Sequence, residues 1–116
     1  MPRYLISFDD GAMDFIPDEE GSAVSEAAHA VIRDAQDAGV WVFAGGVYSH
    51  DDVTVRVVSP NGTVTDEAES KAYIAGVTII DVPSLEEALE WAARIAAACR
   101  CAQEVREFMP DPAVGN

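Results

Sequence analysis

Hydrophobic positions along the chain switch between two periods, and the switches mark the elements. Tyr4, Ile6 and Phe8 fall on alternate positions, which predicts a strand over residues 4–8. Asp9, Asp10 and Gly11 end it, and an acidic loop follows through Pro17, Asp18, Glu19, Glu20 and Gly21. Val24, Ala27, Ala28, Val31, Ala35 and Ala38 then recur at helical spacing, which predicts a helix over 22–38 with a mostly small inner stripe. Gly39 suits the position after its end, where a missing Cβ makes a left-handed turn cheap.

The next apolar run, 40–44, has no polar side, as expected of an internal strand that Gly45 and Gly46 end or bulge. Val53, Val55 and Val57 alternate with Thr54 and Arg56 and predict a strand over 53–59. Asn61-Gly62 is a hairpin signal, because both residues tolerate positive φ. Thr63, Val64 and Thr65 begin the return strand, and a polar loop over 66–71 interrupts it before 73–82.

The second helix is the best punctuated segment. Ser84 with Glu87 three residues on is a capping box. Leu85, Ala88, Leu89, Ala92, Ile95 and Ala96 form the expected buried stripe, and Glu90 and Arg94 an exposed i, i+4 pair. A last strand is expected over 103–108. The closely spaced Pro110 and Pro112 argue for a loose tail over 110–116, which leaves 1–109 as one domain.

Merging the return strand with its continuation gives β-α-β-β-α-β. That is the α+β, ferredoxin-like arrangement, with two helices on one face of an antiparallel sheet. Its other face would be open, yet Trp41, Val42, Phe43, Val77, Ile79 and Ile80 make the strands apolar on both sides. The simplest cover for such a face is a second copy of the chain, so a homodimer packed sheet to sheet is expected.

Charge narrows the partners. The 21 acidic residues against 7 Lys and Arg give a net charge of −14, which repels a phosphate backbone and argues against nucleic acid. No apolar run approaches the length of a membrane helix, and the N-terminus lacks the apolar core of a signal peptide, so a cytoplasmic protein is expected. Cys99 and Cys101 are too close for an unstrained disulfide and read as reduced thiols near a helix end. Neither they nor the carboxylates show metal-ligand spacing, and no phosphate-binding glycine loop appears. Neither a metal nor a cofactor is expected.

Few residues remain as candidates for chemistry. His29 lies about 140° around the first helix from Val24 and reads as a solvated histidine. His50, beside Asp51 and Asp52, could be oriented by a carboxylate and do acid-base work. Asp9, Asp10 and Asp66 stand at strand ends, where carboxylates border pockets or form turns; the turn reading suits Asp10. Lys71 reads equally as an anion-binding group for substrate and as a solvated charge.

The segments PRYLISFDDGAMD, AGVWVFAGG, TIIDVPSLEEALEWAARIA and CRCAQEVREFMPDP resemble the YCII-related family in its DGPF-domain branch, over nearly the whole chain. The resemblance implies a dimeric α/β barrel built from ferredoxin-like protomers. It also implies small-molecule chemistry, since the family is similar in fold to muconolactone isomerases and has been assigned a dehydrochlorinase of chloroaromatic breakdown. The branch's signature loop reads roughly TDGPFAETKE. Here Thr65-Asp66 and Ala68-Glu69-Ser70-Lys71 fit its ends, but Glu67 replaces the Gly-Pro-Phe. A helix-1 histidine of the wider family falls on Ala28, one residue from His29. The match to the motif makes Asp66 the leading catalytic candidate with His50, and Lys71 and Asp9 the candidate substrate-binding residues. The expected function is that of a lyase or isomerase-like enzyme acting on a small molecule by acid-base chemistry. The alternative is a non-catalytic ligand-binding or accessory dimerisation domain.

Overall fold

A computed structural model describes residues 1–66 and 72–116. Among these, six strands and two α-helices run in the order β1 (Arg3–Asp9), α1 (Gly21–Asp37), β2 (Trp41–Gly46), β3 (Val57–Val58), β4 (Val64–Thr65), β5 (Ile74–Asp81), α2 (Leu85–Cys99) and β6 (Glu104–Glu107). The main sheet has the order β2-β5-β1-β6 and is antiparallel throughout; β3 and β4 form a separate hairpin.

The long pairing of β1 with β5 makes the centre of the sheet. Tyr4 faces Ile80, Ile6 faces Thr78 and Phe8 faces Gly76. Strand alternation puts this row on the face that α2 covers, where Tyr4, Ile6, Ile80, Val82, Ala88 and Ala92 form the buried core. α1 packs on the same face, with Val24 and Ala35 buried, while Ala27 and Ala38 of its expected stripe are exposed. Gly39 follows α1 with φ +74° and donates its N–H to the Gln36 carbonyl, the left-handed ending expected of it.

α2 begins on the Ser84 cap, whose Oγ accepts the Glu87 N–H at 3.2 Å. Its buried side is narrower than expected. Ala88, Ala92 and Cys99 are buried, but Leu85 and Leu89 stay about half exposed because they lie beyond the sheet-facing stripe. Arg94 does not pair with Glu90. It reaches across to Asp34 of α1 and lies 4.8 Å over the Trp91 ring, so the pair ties the helices together.

Two local expectations are corrected. β2 runs through Gly45 and Gly46, and its irregularity lies earlier, between Trp41 and Phe43. Among the described residues, the β3–β4 hairpin is much shorter than the alternation over 53–59 suggests, pairing Val57 with Thr65 and Val58 with Val64. Its turn has three loop residues, since Ser59 donates to the Thr63 carbonyl and Gly62 to that of Ser59. Only Gly62 takes positive φ, while Asn61 instead accepts the Thr63 N–H with its side chain. At the C-terminus, Pro112–Val114 form a 3₁₀ turn capped by Asp111, and Asn116 accepts from Arg3.

Neither helix covers the opposite sheet face, where Ser7 is buried and Leu5, Val77 and Ile79 are half-buried. Leu5 and Phe43 both face Ile79, and Ser7 and Gly45 both face Val77, so these residues share that face. Phe43 is 54% exposed. The molecule is a slab of 44 × 43 × 18 Å, little thicker than one sheet and one helix layer.

Phe8 and Gly76 form one fitted unit. A Cβ at Gly76 would lie 2.6 Å from the Phe8 ring, which occupies the space a side chain there would need. Gly76→Ala is expected to destabilise the fold by about 1–3 kcal/mol through overpacking. In chemical denaturation, Phe8→Leu should recover part of that loss, and a penalty identical in both backgrounds would show that the ring is not its cause.

Candidate functional site

The C-terminal end of β1 and the N-terminal end of β5 build the site. Beyond the last paired residues, Asp10 donates its N–H to the Tyr73 carbonyl at 2.8 Å, and Val47 donates to Ala75 at 2.8 Å. These bonds hold the loop after β2 beside the end of β1. The Asp10 carboxylate then gathers that loop. Its Oδ2 accepts the backbone N–H of His50 at 2.9 Å and the Ser49 hydroxyl at 3.1 Å, and it lies 2.6 Å from His50 Nδ1.

Asp10 lies in the turn after β1, as its position suggested, and its carboxylate is also the partner of His50. Its side chain is 13% exposed. The hydrogen bonds from His50, first that of the ring and then that of the backbone, hold its pKa below the ordinary carboxylate range. An ionised carboxylate only accepts, so His50 Nδ1 must carry the shared hydrogen. In the neutral ring, Nε2 is then the basic nitrogen; it lies 3.5 Å from Oδ1 of the exposed Asp51. The His50 ring also stacks on Tyr73, with centroids 4.1 Å apart and planes 7° from parallel. A carboxylate and an aromatic face thus fix the ring in two directions.

This dyad borders a cleft of about 320 Å³, lined also by Val47, Tyr48, Val53, Val55 and Ile74. Apolar walls with one oriented imidazole suit proton transfer to or from a small organic molecule.

The other sequence candidates lie elsewhere. Asp66 is 73% exposed and paired with Arg56 at 2.6 Å, and it does not line the dyad cleft. Asp9 is exposed at the end of β1, one residue short of the carboxylate that meets His50. Lys71, with the rest of the signature segment 67–71, lies outside the described residues. His29 is exposed on α1, as its helical position predicts, and with Ala28 it borders a different recess between the helices and the sheet. The two thiols are free, and burial pushes both up in pKa, the opposite of what a reactive thiolate needs. Among the described residues, no group of three or more His, Cys, Asp or Glu is placed to hold a metal ion, and no helix is long and apolar enough to cross a membrane.

Sequence reasoning found His50 but missed Asp10 and Tyr73. The neighbouring Asp51 and Asp52 were the obvious carboxylates, whereas the real partner is 40 residues away. A Ser-His pair after one strand and a double Asp after another was the available signal.

Residues 3–110 match the family model of the YCII-related domain. The chain belongs to the YCII-related family. Comparison with curated proteins finds no match. Membership places the dyad in a domain that spans β1 through β6 and ends near Pro110.

The dyad has an acid limb. Because the folded pKa of Asp10 is depressed, its stabilising contribution is complete above the ordinary carboxylate value of about 3.9 and is lost as pH falls through the lower folded value. Asp10→Ala should therefore lose stability near neutral pH and flatten the acid limb of a denaturation profile. Nitrogen NMR of the imidazole should show the Nδ1–H tautomer in the parent and mainly Nε2–H in the variant. An unchanged tautomer would remove Asp10 as the orienting group.

Proposed function

We propose that this YCII-related protein is a lyase or isomerase-like enzyme acting on a small molecule, with His50 as general base and acid and Asp10 as its orienting partner. The 2.6 Å contact between His50 Nδ1 and Asp10 carries this reading. A base must be held in one tautomer at the wall of a cleft, and this ring is so held. Asp66, with Thr65 and the segment 68–71, supports the finer assignment to the DGPF branch. At its ion pair with Arg56, it anchors its own loop, and Asp9 and Lys71 are read as the substrate-binding charges.

The protomer is read as ferredoxin-like, because the order β2-β5-β1-β6 with a helix after β1 and after β5 is that of a β-α-β-β-α-β chain with an inserted hairpin. Two protomers would join through the helix-free face of Leu5, Phe43, Val77 and Ile79 into a dimeric α/β barrel. The thin slab and the exposed Phe43 support this, since an apolar sheet face is stable when covered. A cytoplasmic location fits the acidic surface and reduced thiols.

The rival reading is a non-catalytic ligand-binding or accessory domain. The exposure of Asp66 favours it, since the motif residue itself stands outside the cleft lining.

Proton abstraction separates the two. In deuterated buffer, the enzyme should exchange the α-protons of small ketones and unsaturated lactones, read by proton NMR. His50→Gln should slow the exchange by about 100-fold or more, within the range of a general base. Exchange no faster than in buffer, or unaffected by the substitution, favours the binding domain. For assembly, light scattering should give about 25 kDa, twice the 12.4 kDa chain, and Ile79→Arg should reduce it to one chain. A parent protein already monomeric at micromolar concentration contradicts the covered face.

A further inference from the structure

Besides the dyad cleft, the fold forms a half-open recess of about 270 Å³ between α1, α2 and the sheet. Phe8, Val31, Ile32, Ala44 and Ile95 give it apolar walls. Gly46 and Gly76 keep its floor low, and the Phe8 ring fills the place of a side chain at Gly76. No Lys, Arg, Asp or Glu is among its lining residues. The titratable groups that face it are His29, exposed on α1, and Cys99, whose buried thiol stays neutral.

The recess and the dyad cleft share three chain segments at one end of the sheet. Phe8 borders the recess and Asp10 the cleft. Gly46 borders the recess and Val47 the cleft, and Gly76 and Ile74 divide in the same way. Each segment passes from one space to the other within two residues, at most about 7 Å of extended chain.

We propose that this recess binds the apolar body of the substrate handled at His50, and that the substrate is a compact, uncharged ring compound whose polar group reaches the dyad. The second half rests on the reading of His50 as the proton-transfer group; the recess as a ligand site does not. Size and chemistry set the class. An apolar cavity of about 150 Å³ holds benzene, so this one has room for a substituted six-membered ring. An ionised carboxylate inside would meet no Lys or Arg, only His29 at the exposed rim on α1, so little in the lining offsets its desolvation.

The test is methyl NMR of the full chain with two para-substituted toluenes, the neutral p-cresol and the anionic 4-methylbenzoate. p-Cresol should shift the methyl signals of Val31, Ile32 and Ile95 with the roughly millimolar affinity of so small a ligand. 4-Methylbenzoate should bind at least about tenfold more weakly, a difference of about 1.4 kcal/mol. Ala28→Leu, which fills the recess from α1, should weaken p-cresol by about tenfold or more, and Ala44→Val fills it from β2 should the first variant not fold. His50→Gln should leave p-cresol binding within about twofold, far below one decade in affinity. No shift at those methyls, equal binding of the two probes, or indifference to both filling variants would overturn the recess. If p-cresol behaves as expected while proton exchange ignores His50→Gln, the ligand site stands and its link to the dyad falls. If exchange depends on His50 and p-cresol does not bind, the recess falls and the dyad reading survives.

Discussion

The register of β1 against β5 is the constraint on which the rest depends. It sets Tyr4 against Ile80 and Ile6 against Thr78, and so fixes which side chains enter the core. Carried past the last pair, it brings Asp10 level with Tyr73, whose carbonyl takes the Asp10 N–H and whose ring supports His50. A slip of one residue would turn the core row to the helix-free face and carry Asp10 away from the loop it gathers. Stability and site geometry thus share one set of backbone hydrogen bonds.

The acidic surface is managed locally. Arg3 pairs with Asp81, Arg56 with Asp66, Arg94 with Asp34, Arg100 with Glu20 and Arg106 with Glu104. Exposed pairs of this kind add little stability each. Several join separate elements, however: Arg94 ties α2 to α1, and Arg100, in a left-handed conformation after α2, ties it to the turn that precedes α1. With so many guanidinium groups engaged, the long-range field stays strongly negative.

Much of the scaffold was legible because it rests on local physics. The Ser84 cap, the Gly39 ending and the alternation of Tyr4, Ile6 and Phe8 are each decided by a few neighbouring residues. Leu85 and Leu89 misled because helical spacing tells which residues share a side, but not how wide a stripe the sheet covers. The valines of 53–59 misled because alternation alone supplies no partner strand. The site was half legible for a related reason. His50 is conspicuous in its loop, but its carboxylate is chosen by tertiary pairing, which places Asp10 closer than the adjacent acids. Asp66 was singled out by motif, and motifs carry no information on exposure.

The Asp10–His50 contact also fixes when the site can exist. Its two halves are separated by 40 residues that contain all of α1 and β2. Closing a segment of that length carries an entropic cost that the two side chains alone do not recover, so the helix and both strands must already be in place. Tyr73, which completes the ring's support, arrives just before β5, still later in the chain. A nascent or partly unfolded molecule therefore has no oriented imidazole. Proton-transfer competence becomes a property of the finished topology, acquired late and lost early when the strand ends fray.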